Sequence, residues 1–228
     1  MRDHQNDNIP VEKDGEVEPA PLHGAEHFGD LQWERLSRFA QLLENEGQLR
    51  GLVGPREMNK LWSRHLLNST AINGFIEDSM SVADVGSGAG FPGLVLAITR
   101  PSVNVSLIEA MERRTDWLQY VVDDLELNNV EVIRGRAEDL DGFSADIVTA
   151  RAVAALKKLI PWTMPLVRDG GRVVALKGGR AEVEINEADK QLRKYGAEWV
   201  DVHDVDVWGT FEGTRIVEIK KVKHSKRR

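Results

Sequence analysis

A short apolar segment, Ser81–Val85, runs straight into Gly86-Ser-Gly88-Ala-Gly90-Phe-Pro-Gly93, and the chain then continues as an apolar helical run to Thr99. This restricts the fold more than any other stretch. Glycines let the backbone turn sharply and approach a ligand closely, and a strand that ends in glycines and reopens as a helix is the first turn of a doubly wound α/β sheet. The downstream pattern agrees. Strands are predicted at Val103–Glu109, Val130–Arg134, Ala145–Ala150 and Arg172–Lys177, with helices at Arg113–Leu125, Ala155–Met164 and Ala181–Tyr195 between or after them. Alternation at this spacing gives βαβ units and a Rossmann-like, mostly parallel sheet of seven strands. The last two, Trp199–Val207 and Thr214–Lys220, have no long helix between them and read as a closing hairpin. Ahead of the first strand, apolar residues recur at helical spacing over Leu31–Glu46 and again from Pro55 to Ile72. The expected division is a disordered acidic tail (1–27), a helical cap (28–78), the α/β domain (79–221) and a basic tail (222–228).

A chain of 228 residues suits one such domain with a small extra lobe. The absence of cysteine excludes disulfides, thiolate zinc sites and a cysteine nucleophile. His23 and His27 lie four apart, but without a His-Glu-x-x-His frame, so no metal is expected. No apolar run is long enough to span a membrane and no secretory signal opens the chain; a cytoplasmic protein is expected. The net charge of −7 is unevenly spread: residues 1–30 hold eight acids and two bases, and 220–228 hold six bases and no acid. The body between them is close to neutral and can present a basic face to phosphates.

Gly88, Gly90 and Gly93 fit the dinucleotide pattern G-x-G-x-x-G, so the glycines alone do not separate NAD from S-adenosylmethionine (AdoMet). Asp84 does. A carboxylate two residues before the first glycine suits the ammonium of methionine and is badly placed beside a pyrophosphate. Glu109, ending the second strand, can accept from ribose hydroxyls of either ligand. After the third strand, Arg136-Ala137-Glu138 lies where an adenine edge is read. The chain is expected to bind AdoMet, with an NAD-dependent oxidoreductase as the lesser reading.

The fourth strand ends Thr149-Ala-Arg151-Ala152. It lacks the Asn/Asp-Pro-Pro-Tyr/Phe string used on exocyclic amines, and no cysteine is available to attack a pyrimidine. The acceptor is then expected to be a nitrogen with its own lone pair, such as guanine N7, whose methylation depends above all on orientation. Arg151 is read as a positioning residue there.

Trp62-Ser-Arg64-His65-Leu-Leu-Asn68-Ser69, the Asp84–Gly93 loop with its Phe-Pro-Gly continuation, Arg136-Ala-Glu138, Thr149-Ala-Arg151-Ala152 and Ala175-Leu-Lys177-Gly178 together resemble the RsmG (GidB) family of small-subunit rRNA guanine-N7 methyltransferases, over about Leu31–Lys220. The resemblance implies AdoMet as donor, contacts to it at Gly86, Phe91, Ala137, Glu138 and Arg151, and N7 of guanine 527 of 16S rRNA as acceptor. Asp84, Gly88 and Glu109 complete the expected donor site. Arg64 and His65 join Arg151 as orienting residues, with no general base. Lys177, Arg180, Arg136 and Ser69 are assigned to the RNA. The partner is 16S rRNA, in the small subunit or an assembly intermediate, and the enzyme is expected to be a monomer without metal or membrane. Asn68 departs from the family's usual Asp, and Gly51-Leu-Val-Gly-Pro55 from its Asn-Leu-Thr. A non-catalytic RNA-binding or assembly protein is the other reading.

Overall fold

The computed structural model describes residues 17–210 and 213–223. Its sheet has seven strands in the order β3-β2-β1-β4-β5-β7-β6. β1 (Ser81–Val85) is central, flanked by β2 (Asn104–Glu109) and β4 (Ala145–Arg151). β3 (Val130–Arg134) lies outside β2, and β5 (Val167–Lys177) outside β4. These five run parallel. β7 (Thr214–Lys221) pairs antiparallel with β5, and β6 (Ala197–Val205) antiparallel with β7, the hairpin expected from the short link. The chain order reverses between β1 and β4, so the crevice at their carboxyl ends is where such a sheet takes a ligand.

Period-two alternation sorts the strands between two cores. Val82, Leu107, Ile147 and Val174 face one side; Ala83, Ile108, Val148 and Ala175 face the other. The first side is covered by α2 (Asp30–Leu42), α3 (Gly93–Thr99) and α4 (Glu112–Asp124), which contribute Phe39, Leu96 and Trp117. The second is covered by α5 (Leu156–Thr163), α6 (Ala181–Glu187) and α7 (Asp189–Lys194).

Two expectations are corrected. The segment from Pro55 to Ile72 is not one regular helix. It is a 3₁₀ turn (Pro55–Lys60), a π-helical turn (Leu61–Leu67) and a second 3₁₀ turn (Thr70–Phe75). Apolar spacing reports which face is buried, not how tightly the turns are wound. Nor is the end of the supposed disordered tail free. Glu18 donates its backbone N–H to Met58 and accepts from the Ser63 N–H at 2.9 Å. α1 (Gly24–Phe28) packs Gly24 against the Trp33 ring, and the His27 ring stacks on Trp208. This anchoring uses hydrogen bonds and ring faces, which a count of aliphatic residues does not register. The rest of the acidic tail (1–16) and most of the basic tail (224–228) lie outside the described residues.

No described helix is long and apolar enough to cross a membrane.

Candidate donor and acceptor site

At the carboxyl ends of β1, β2 and β4 three hollows join end to end. The first, about 240 Å³, is a slot between Ile108, Ala137 and Trp162, with Arg136 and Glu138 at its rim and Gly86 and Glu109 at its inner end. Those two residues also line the second, of about 520 Å³, with Gly88, Phe91, Arg114 and Arg151, and Leu52 and Val53 from the cap. The third, about 690 Å³, opens past Arg151 and His65 to Arg64, Asn68, Lys177, Gly178, Gly179 and Glu184.

Gly86 and Gly88 shape the first two. Both have left-handed backbone, with φ of 72° and 58°. At Gly86 a Cβ would meet Val153 Cγ2 at 2.9 Å, whereas at Gly88 it would meet nothing nearer than 3.7 Å and would stand in the hollow itself. Asp84 braces the loop from beneath. Its Oδ2 accepts from the Gly93 N–H at 3.0 Å, while Oδ1 is buried without a partner. Burial pushes its carboxyl up to about 7, against the Gly93 hydrogen bond and the charge of Arg151. Asp84 has no exposed surface and so underlies the loop rather than lining a hollow, whereas its place in the sequence sets the carboxylate against a methionine ammonium.

Glu109 is 4% exposed and sits where the first two hollows meet. It accepts from the N–H groups of Gly88 (3.0 Å) and Met111 (2.9 Å), with Arg114 at 3.6 Å. A carboxylate has about four lone-pair directions, so capacity remains for a ribose diol.

The neck between the second and third hollows is built from β4 and the cap. Arg151 donates to the carbonyls of Arg64 (3.0 Å) and His65 (3.3 Å) and to His65 Nδ1 (2.9 Å), and lies 4.6 Å over the Phe91 ring. Its hydrogen-bond partners are all neutral. Burial and nearby Arg64 push its guanidinium down to about 10, while the charges of Asp84 and Glu57 pull it back up. An arginine cannot accept a hydrogen bond, so His65 Nδ1 carries the lone pair and Nε2 the proton, which it donates to Glu57 at 2.9 Å. Burial and the Arg151 charge lower the His65 pKa to about 4, with Glu57 opposing. Its ring also stacks on Phe91 at 5.4 Å. Arg64 and His65 sit in the π-helical turn, a form that recurs at functional sites.

Of the four residues assigned to RNA, two are placed otherwise. Ser69 is fully buried and donates to the His65 carbonyl at 2.6 Å, so no substrate reaches it. Lys177 donates to the Ala154 carbonyl (2.6 Å) and to Glu184 (2.8 Å), its side chain only 9% exposed. Its charge is spent tying the β4–α5 loop to α6. Arg180 is 76% exposed with Glu187 at 3.8 Å, and Arg136 is exposed beside the first hollow.

Sequence reasoning missed Glu57, Glu184, Trp162 and the roof residues Leu52 and Val53. The one hint was the unusual Gly51–Pro55 stretch. No group of three or more His, Asp or Glu that could hold a metal occurs among the described residues.

The family model described as GidB, rRNA small subunit methyltransferase G, matches residues 32–207. Proteins named ribosomal RNA small subunit methyltransferase G are similar to this chain. That of Arthrobacter sp. (strain FB24) is 52% identical, over 79% of this chain and 84% of its own. That of Beutenbergia cavernae is 48% identical over 80% and 87%, and that of Corynebacterium glutamicum (strain R) 44% over 89% and 92%. Among solved structures, M. jannaschii TYW2 in complex with AdoMet matches with a TM-score of 0.56 at 20% identity, over 72% of this chain and 78% of that one. A SAM-dependent O-methyltransferase from Thermotoga maritima matches with 0.56 at 16%, over 75% and 72%. At these identities they establish the fold, the Rossmann-like α/β sheet expected from the glycine loop.

Proposed function

The chain belongs to the rRNA small subunit methyltransferase G family, and on that premise we propose that it transfers a methyl group from AdoMet to N7 of a single guanine, position 527, in 16S rRNA. It would act as a cytoplasmic monomer on the small subunit or an assembly intermediate.

The hollows suit the donor in size and chemistry. The apolar slot beside Trp162 takes a flat adenine, Glu109 the ribose hydroxyls, and the second hollow the methionine, with Arg151 offering charge to its carboxylate. Arg151, Arg64 and His65 are read as positioning groups around the transfer, and Arg136 and Arg180 as phosphate contacts. Bound AdoMet supplies a methyl group on a sulfonium, an electrophile that needs only an aligned lone pair.

The observation that carries the choice of N7 is that His65, the lining side chain of the third hollow best suited to take a proton near neutral pH, has both ring nitrogens held. His65 Nδ1 is held by Arg151, Glu57 accepts from His65 Nε2, and Glu184 accepts from Lys177 and the Leu156 N–H. Arg64 and Arg151 are cations without a lone pair. A site whose only histidine has no free ring nitrogen fits an acceptor that loses no proton on methylation. Guanine N7 is one, and its exocyclic amine is not. The product carries a positive charge and a labile glycosidic bond, so borohydride and aniline should cleave rRNA at one guanine in wild-type cells and leave it intact in cells lacking this gene. Equal cleavage in both rejects the acceptor.

A further inference from the structure

We propose that Glu57, which lies outside every motif of the site, is a positioning residue that fixes the tautomer of His65 and through it holds Arg151 across the neck between donor and acceptor hollows. The inference rests on the function proposed above for what passes through that neck, but its geometry does not.

Glu57 comes from the 3₁₀ turn of the cap and lines both hollows. Its carboxylate can only accept, and it meets His65 Nε2 at 2.9 Å. The guanidinium of Arg151 can only donate, and it meets Nδ1 at 2.9 Å. A neutral imidazole has one donor and one acceptor nitrogen, so a fixed acceptor on one side dictates a free lone pair on the other. Without Glu57, only Arg151 still favours this tautomer, and the other becomes accessible whenever the guanidinium leaves Nδ1. Its Nδ1–H would then face the Arg151 N–H groups, donor against donor. The guanidinium would keep the two carbonyls and the Phe91 face but lose the contact that sets its direction. Burial and the Arg151 charge keep His65 neutral at physiological pH, so the relay positions groups and transfers no proton. The relay also ties the cap to β4, because Glu57 and His65 belong to one and Arg151 to the other.

The test uses the full chain. Nitrogen NMR of the His65 ring in the wild-type protein should show a bare Nδ1 and a protonated Nε2; the reverse assignment overturns the proposal. In Glu57→Ala the ring should report a mixture of tautomers, and calorimetry with S-adenosylhomocysteine should show about tenfold weaker binding, the scale of one lost hydrogen bond to a charged group. Glu57→Gln retains a side-chain oxygen to accept from Nε2 and should recover most of both effects, which separates the hydrogen bond from the charge. If Glu57→Ala leaves tautomer and affinity unchanged, the proposal fails while the methyltransferase reading stands. If the wild type binds no S-adenosylhomocysteine, the functional reading fails and the NMR still decides the tautomer.

Discussion

Two cations end neighbouring strands of the sheet, and they are treated in opposite ways. Arg151, at the end of β4, is held by two carbonyls, an imidazole and the face of a phenyl ring. Lys177, at the end of β5, is clamped in an ion pair with Glu184 and hydrogen-bonded to the loop between the strands. Both are partly withdrawn from water. Removing a charge from water is costly unless it meets the opposite charge. Lys177 meets it within the protein. Arg151 does not: Asp84 and Glu57 act on it only through space. A half-buried cation positioned by neutral groups at the rim of a cavity is poised for an anion from outside, and the carboxylate of methionine is such an anion. On the function proposed above, the sheet would set one charge aside for ligand, while it uses the other for architecture.

The largest expected effect tests the Arg151 half. Arg151→Ala should weaken AdoMet binding by about 3 kcal/mol, the upper end for a hydrogen bond to a charged group, and calorimetry would read it as a loss of at least a hundredfold. Unchanged affinity would abolish the contrast.

Next in size is pH dependence. Asp84 has a folded pKa near 7, above its ordinary 3.8, so the folded state holds the proton more tightly and stability falls as pH rises from about 4 to 7. His65 has a folded pKa near 4, below 6.5, so stability rises with pH from about 4 to 6.5. The slopes oppose each other across one window, each at most about 1.4 kcal/mol per pH unit. Asp84→Asn should unmask the rise and His65→Asn the fall, in denaturant titrations at stepped pH. Around Lys177 the outcome differs. Burial raises the Glu184 pKa, but hydrogen bonds from Lys177 and the Leu156 N–H outweigh that and hold it low, so its contribution is lost only as pH falls below the usual carboxylate range.

Lys177→Met should cost about 1.5–2 kcal/mol of stability through the lost ion pair and hydrogen bond, yet leave AdoMet affinity within twofold. A large loss of AdoMet affinity would mean that the two cations are not divided in this way. The smallest effect belongs to Arg180. Removing its exposed charge should reduce the salt dependence of rRNA binding by about one phosphate contact, with stability and AdoMet affinity unaffected. Filter binding across a salt series would detect it.

The division between the two cations could not be read from the sequence. Both stand at strand ends after similar apolar runs. Lys177 differs only because α6 folds back to bring Glu184 beside it. The strands themselves were legible, since short buried runs alternate between two faces: β3 was placed at Val130–Arg134 as found. The placement of the glycine loop and of Glu109 was legible because a close backbone approach and a strand-end acid are local features. Trp162 was not, because it reaches the site from a helix distant in sequence from the glycine loop, and Glu57, although only eight residues from His65, was not, because the irregular turns of the cap set which face the two share. Ser69 was misread because a hydroxyl one turn from a site histidine looks available until its bond to the His65 carbonyl is seen.

Ala152 follows Arg151 in a left-handed conformation, with φ of 56°. The cost of holding a β-carbon there is about 1–2 kcal/mol, and it bears on how this position can drift over generations. Glycine would relieve the strain while adding about 0.4–1 kcal/mol of unfolded-chain entropy, a nearly neutral exchange. Valine or isoleucine would deepen the strain at the point where the chain leaves Arg151. The codon for this alanine therefore has an open path toward smaller residues and a closed one toward branched residues, so substitution here should be lopsided even though the side chain itself is a single methyl group.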